Sequence, residues 1–363
     1  MLDFRPDEEQ KMLTETIARF ARERVRKVYR EAEEDGAIPA ATARAGWEIG
    51  LLPTAVPEAY GGFGDYSVVT GALAMEEFGW GDLAVTFNVM TPNLLAIPLM
   101  LCGTEEQKAD YLPLFTQEAP PKVTAALTEP VVQFNPYKLK ATAVRDGNAY
   151  VLNGRKTLVP LADEAETILV YAAEDGVTQA FIVPTGVDGL TIDARDKLMG
   201  VRALSTNLIT LTDVRIPAAN KLGGEAGIDF SLILNHSRVA LAAAAVGLAR
   251  AGFEYARDYA KQRVQFGEPI AHRQSIAFML ADMATEIDEA RLLVWETAWQ
   301  LDQGKDVTRE AAIMKHQVDR MVMQVADRAV QTLGGYGYIR EYPVELWLRN
   351  ARGFTTFDGL AII

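Results

Sequence analysis

Cysteine is nearly absent from the 363-residue chain: Cys102 stands alone, so no intrachain disulfide can form and a reducing compartment is expected. Histidine is almost as scarce. His236, His272 and His316 lie far apart, without the paired spacing of a site built from histidine and cysteine, so no metal is expected. Lys and Arg number 36 against 49 Asp and Glu, and the net charge of −13 disfavours nucleic acid or an anionic membrane as the main partner. Any phosphate must then be met by a few local cations or by helix ends. The longest apolar run, in LAAAAVGLA, is too short to span a bilayer. The N-terminus MLDFRPDEEQ carries acids where a secretion signal carries a basic and then an apolar stretch. These absences together lead to the expectation of a soluble, cytoplasmic chain without a membrane span.

What is present is ordinary globular material, 49% hydrophobic with 28 Gly and 16 Pro, in a chain long enough for two or three domains at roughly 150 residues each. Apolar residues recur at three- and four-residue spacing through Met12, Leu13, Ile17, Phe20, Ala21 and Val25, after a helix start at Pro6 and the acids Asp7 to Glu9. Further helices are predicted through ATARAGWEIG, SVVTGALAMEEFG, AVTFNVMTPNLLAIPLMLC and, from an N-cap at Thr104, EEQKADYLPLF, with a loop at PEAYGGFGD. Near Pro120 the pattern changes to short β-branched runs. Turn residues at Asp146-Gly147-Asn148, Asn153-Gly154 and Asp188-Gly189 separate them, which predicts an antiparallel β domain. From Phe230 onward three helical stretches of about 30 residues return, joined by short Gly/Pro loops, and predict a bundle. The expected organisation is a helical domain over 1–120, a β domain over 121–224 and a helical bundle over 225–363.

Two segments carry candidate chemistry. Arg263-Val264-Gln265-Phe266-Gly267 sets an arginine, an aromatic and a glycine turn between two long helices, followed by Gln274. A guanidinium beside such a turn can hold a pyrophosphate with paired charge-assisted bonds, although an ordinary interhelical turn with a salt bridge has the same composition. Gln331-Thr332-Leu333-Gly334-Gly335-Tyr336-Gly337 closes the third long helix. Two of its glycines suffice for a helix C-cap, and the third, Gly337, points to close approach of a ligand or of a second backbone.

These segments, together with VPEAYGG, GTEEQK, ALTEP, DVRIP and EYPVELWLRNAR, resemble in order and spacing the acyl-CoA dehydrogenase family, from Phe4 to Asp358. The resemblance implies an N-terminal helical domain, a middle β-barrel or sandwich domain and a C-terminal four-helix bundle. It also implies FAD shared across the interface of a dimer or tetramer, an acyl-CoA substrate and an electron-transfer flavoprotein as acceptor. By the same likeness Arg263, Phe266, Gln274, Gln331, Gly334 and Gly335 contact the FAD of a neighbouring chain, while Leu127 and Thr128 reach the flavin ring from the chain's own β domain. Arg238 falls where the family binds substrate near its CoA part. The family's catalytic base is a Glu nine residues after an Arg; nine residues after Arg349 stands Asp358. A desolvated carboxylate there can take the α-proton of an acyl thioester while the β-hydride passes to the flavin. Some relatives carry the base just before the substrate-binding Arg. Here that position is Ser237, and the adjacent His236 is expected on a solvent or interface side. The stretches VTFNVMTPNLLAIPLM and EEFGW are expected near the acyl pocket, by resemblance.

Three departures separate this chain from the family pattern. Asp358 is one methylene shorter than Glu, about 1.5 Å of reach. The family's glycine-rich G-A-G-S-D run is Val131-Val132-Gln133-Phe134-Asn135 here, and its W-I-T-N is Leu158-Val159-Pro160-Leu161. The neighbour-facing half of the flavin site is therefore better kept than the chain's own half. That asymmetry opens two alternative readings: a partner subunit that completes another chain's FAD site in a hetero-oligomer, or an Asp-based flavin oxidase of nitroalkane-oxidase type.

Overall fold

Asp7 starts the first helix as the acidic run predicts, its carboxylate accepting from the Gln10 N–H while the Gln10 side chain reaches back to the Asp7 N–H. The computed structural model describes residues 6–363, so the first five residues of the MLDFRPDEEQ stretch, Phe4 among them, lie outside the described residues. Helix α1 (Glu8–Phe20) runs through a π-turn at Ala21–Val25 into α2 (Arg26–Asp35). Then follow α3 (Ala40–Trp47), α4 (Leu51–Ala55), α5 (Val68–Gly81), α6 (Leu83–Met90), α7 (Asn93–Cys102) and α8 (Glu105–Tyr111). Thr104 caps α8 with a capping box, as expected. The single helix expected through AVTFNVMTPNLLAIPLMLC is two, α6 and α7, bent by 48° at Thr91-Pro92. Pro92 restricts the backbone of Thr91 and has no N–H for the turn before it.

The β domain holds β1 (Val123–Ala126), β2 (Thr142–Asp146), β3 (Ala149–Pro160), β4 (Thr167–Glu174), β5 (Val177–Pro184), β6 (Leu190–Arg195) and β7 (Thr206–Pro217). The strand order is β1-β4-β2-β3-β7-β6, with β5 paired to β4. Hairpins are antiparallel, but the sheet is mixed, because β1 and β2 both run parallel to β4. Two-residue turns force antiparallel pairing only on strands adjacent in sequence, and these pairs are not adjacent. Asn153-Gly154 is also not a turn. It lies inside β3 at a register shift, where a Cβ on Gly154 would stand 2.5 Å from the Ala141 Cβ.

The bundle comprises α9 (Phe230–Gln262), α10 (Gln274–Asp302), α11 (Thr308–Leu333) and the short α12 (Val344–Ala351), with a small hairpin, β8 (Val264–Gln265) and β9 (Glu268–Pro269), between α9 and α10. By length and composition α9 could cross a bilayer, yet 89% of its apolar window is buried inside the protein. Its alanine run Ala242–Ala245 packs against α5 so closely that a Cβ on Gly247 would stand 2.0 Å from the Glu76 carbonyl oxygen. Around this crossing, Arg250 and Arg291 pair with Glu76, and Arg250 also with Glu77. The EEFGW stretch therefore belongs to this helix contact and not to a pocket, since charged residues that become buried need partners.

Gly247→Ala is expected to destabilise the chain by about 1–3 kcal/mol by forcing α5 from α9, read as a lowered midpoint in urea unfolding. An unchanged midpoint would show that the two backbones can separate at no cost.

Candidate functional site

The candidate residues gather in two places. At the end of α11, Arg263, Gln331, Gly334 and Gly335 line one open cleft of about 450 Å³ together with Tyr259, Gln265 and Tyr336. The Arg263 guanidinium lies 5.2 Å from the centre of the Tyr336 ring, a cation–aromatic contact inside the cleft's wall. No atom stands within 4 Å of where a Cβ on Gly334 or Gly335 would be, so the backbone there is open to a ligand, and Gly334 turns at φ 60°. Gly337 answers the other expectation: a Cβ there would meet the Val330 carbonyl oxygen at 2.3 Å, so a second backbone accounts for it. Phe266 and Gln274 lie outside this cleft. Phe266 is 92% exposed at φ 54° in the β8–β9 turn, and Gln274 is exposed at the start of α10.

The second place is where the β domain meets α9 and the segment after α12. The Thr128 hydroxyl donates to the Asp358 carbonyl at 2.9 Å, so in this structure it is already engaged. Gly359 turns at φ 85° with room for no side chain, because its Cβ would stand 2.9 Å from that of Leu127. Leu127, Gly359 and Ser237 line a small apolar cavity of about 20 Å³ with Leu94, Tyr171 and Phe230. Phe87, from the expected pocket stretch, packs edge-on to Phe357 at 5.6 Å. Among the buried polar atoms without partners are Ser237 Oγ, on a residue of the cavity wall, and Asp358 Oδ1, on the residue before Gly359 of that wall; Arg238 Nε, next along α9 from Ser237, is a third. Such atoms are nearly always paired, so a ligand is a suitable partner for them. His236 is buried, not solvent-facing, with Nδ1 2.9 Å from the Tyr66 hydroxyl and 2.8 Å from the Ile363 carbonyl oxygen. Burial lowers its pKa, which is the reverse of what a surface imidazole shows. The reason is that α9 is covered on nearly all sides along this stretch.

The β-domain loop is held from below by a pair that sequence reading missed. Lys156 Nζ, fully buried, donates to the Leu127 carbonyl at 3.0 Å and to Glu129 at 2.9 Å. Glu129 accepts further from the Lys140 and Ala141 N–H groups at 2.7 and 2.8 Å. Burial pushes the Lys156 ammonium down to about 8 against the pull of Glu129. A lysine on a strand otherwise rich in apolar residues was the available signal. Beyond it, β3 carries a second register shift between Lys156 and Val159, where Leu158 is left-handed at φ 54°, and Leu161 follows at φ 50°. The Pro160 carbonyl accepts from Thr124 at 2.6 Å. In the loop that replaces the glycine-rich run, Gln133 is left-handed at φ 57°, Val132 is 93% exposed and Phe134 is partly buried.

Comparison with known proteins agrees along the whole chain. Models of the acyl-CoA dehydrogenase N-terminal, middle and C-terminal domains match residues 7–119, 124–214 and 229–361. A probable acyl-CoA dehydrogenase of Bacillus subtilis, YngJ, is 38% identical over 100% of this chain and 97% of its own length. The chain belongs to the acyl-CoA dehydrogenase family. The chain is also 36% identical to the CarC subunit of the caffeyl-CoA reductase-Etf complex of Acetobacterium woodii, over 97% of this chain and 95% of that one. The solved butyryl-CoA dehydrogenase of Megasphaera elsdenii superposes with a TM-score of 0.90 at 31% identity, covering 99% of this chain and 96% of that one. The fold read from the sequence, a helical domain, a β domain and a helical bundle, is the family's fold, and the chain is an oxidoreductase of that family.

Lys156→Met leaves the Glu129 carboxylate buried without its cation and is expected to cost about 3–5 kcal/mol, whereas adding Glu129→Gln recovers part of it. Urea unfolding of both single variants and the double variant measures the coupling; strictly additive losses would mean that the pair does not act as one unit.

Proposed function

We propose that the chain oxidises an acyl-CoA thioester at its α,β carbon–carbon bond with FAD as cofactor and Asp358 as the base. The observation that carries this reading is the set of unpaired buried atoms, Ser237 Oγ and Asp358 Oδ1 foremost, beside one apolar cavity. The residues also fit the cofactor: Arg263 beside the bare backbone of Gly334 and Gly335 is a donor set suited to a pyrophosphate. Leu127 and Thr128 offer the β-domain side of the ring site. When bound, the flavin accepts the hydride as a two-electron acceptor. The Asp358 carboxylate takes the α-proton, and its backbone, held by Thr128, sets where that carboxylate starts from. Arg238, with Nε unpaired in the protein, is suited to an anionic part of CoA. The apolar walls Leu94, Leu127, Tyr171 and Phe230 exclude water from the proton transfer.

Arg263, Gly334 and Gly335 line one cavity and Leu127 and Gly359 another, which supports a cofactor shared between neighbouring chains of a dimer or tetramer. An electron-transfer flavoprotein is the proposed acceptor. Support comes from the Etf-complex relative and from a solved structure of the electron transferring flavoprotein of Acidaminococcus fermentans, with a TM-score of 0.90 at 32% identity. A solved FAD complex of PigA, with a TM-score of 0.90 at 26% identity, supports the cofactor. A cytoplasmic setting in acyl-CoA breakdown completes the proposal. A second reading, a partner subunit for another chain's FAD, is favoured by the β-domain half: Pro160 has no N–H, and the Thr128 hydroxyl is already engaged.

The chain expressed alone is expected to carry flavin absorbance, and Arg263→Ala to lose most of it with the fold intact. Flavin present only after co-expression with a second protein sinks the first reading in favour of the partner subunit. Asp358→Asn is expected to keep flavin yet slow anaerobic bleaching by acyl-CoA by about 10²–10⁴-fold. Turnover of a nitroalkane with oxygen, and none of acyl-CoA, would instead favour the oxidase.

A further inference from the structure

We propose that Lys315 is a positioning residue for the carboxylate of Asp358, drawing it by charge without a hydrogen bond to its Oδ1. The inference rests on the reading of Asp358 as base. Lys315, on α11, is buried, and its ammonium has three N–H groups to place. It donates to both Asp319 oxygens at 2.8 and 2.6 Å and to the Phe354 carbonyl at 2.8 Å. Asp358 Oδ1 stands 3.9 Å from the same nitrogen. That separation is too long for a hydrogen bond but within range of strong charge attraction in a partly buried site. Accordingly, Asp358 Oδ1 is buried with no hydrogen-bond partner.

The distinction matters chemically. A hydrogen bond would fix the carboxylate's direction, whereas charge attraction favours the ionised form without demanding an angle. The turn that carries Asp358 is meanwhile pinned from two sides, by Lys315 at the Phe354 carbonyl and by Thr128 at the Asp358 carbonyl. The backbone is set and Oδ1 of the short side chain is not tied by a hydrogen bond, which suits an aspartate that must cover the reach of a longer residue. No other cation is within ion-pair distance of Asp358 among the described residues. Asp319 faces Lys315 and partly offsets it, and it also repels Asp358 directly, while His316 lies close enough to favour the ionised Asp319. Burial pushes the Asp319 carboxyl up. Leu127 and Thr128 from the β domain and Leu94 from α7 bring no charge; on α9, Ser237 is neutral and Arg238 follows it.

The test is the pH dependence of the anaerobic flavin reduction rate with an acyl-CoA, using the FAD-loaded enzyme. Removing the cation in Lys315→Met is expected to move the acidic midpoint of the profile up by about one pH unit. Removing the offsetting anion in Asp319→Asn is expected to move it down, and Lys315→Arg to leave it near the wild-type value. Opposite shifts are what a merely structural role does not produce. Unmoved midpoints, or shifts of the same sign in Lys315→Met and Asp319→Asn, overturn the proposal. If Lys315→Met does not fold, Lys315→Gln, which also removes the cation, decides it. Carbon NMR of the aspartate carboxyls, with Asp358→Asn for assignment, titrates the group without turnover. There, a shift in Lys315→Met or Lys315→Gln beside an undiminished rate in Asp358→Asn upholds the Lys315 contact and rejects Asp358 as base; no shift rejects the contact itself.

Discussion

Helices α5 and α9 meet backbone to backbone. A Cβ on Gly79 would stand 2.4 Å from the Ala244 carbonyl oxygen, and one on Gly247 would stand 2.0 Å from that of Glu76. Two helices approach so closely only where side chains are small, and α9 supplies alanine from Ala242 to Ala245 along the contact. The crossing joins the N-terminal domain to the bundle in a single core, which contains Phe78 and Leu83 from one side and Val246, Met314 and Phe354 from the other. Because α7 and α9 are thereby fixed, Leu94 and Ser237 stand on the walls of one cavity, and the β-domain loop at Leu127 closes it.

Charge secures what apolar packing brings together. Arg349 bridges Glu33 on α2, Glu345 on α12 and the Met199 carbonyl of the β domain, so a single guanidinium touches all three domains. Its neighbour Asn350 accepts from the Val201 N–H at 2.7 Å. A Cβ on Gly200 would stand 2.6 Å from the Arg349 carbonyl oxygen. Arg26 lies 4.4 Å from the ring centres of both Trp80 and Trp347, a stacked cation between α5 and α12. These contacts hold α12, and with it the turn that presents Asp358.

Much of this is legible in the sequence because it is local. Capping at Asp7 and Thr104 and the return of helical spacing at Phe230 each depend on a few neighbouring residues, and the structure has them. Arg263, Gln331, Gly334 and Gly335 could be assembled from motif spacing, since they sit at the ends of two helices of readable length. What could not be read is long-range. The parallel pairing of β1 with β4, the burial of His236 and the Lys156–Glu129 pair depend on segments far apart in the chain meeting. The contact between Lys315 and Asp358 is of the same kind, joining a helix to a turn 43 residues further on, a meeting no periodicity encodes.

Three non-glycine residues around the β-domain half, Gln133, Leu158 and Leu161, adopt left-handed backbone, which ordinary L-residues enter at a cost of order 1–3 kcal/mol each. Glycine or asparagine at these positions relieves that cost, so they are where the chain can most readily become more robust to heat. They also shape the bulge and loop that separate this chain from its family's pattern. Selection or engineering for thermal tolerance would therefore act first on the segments in which this chain departs from the family's pattern.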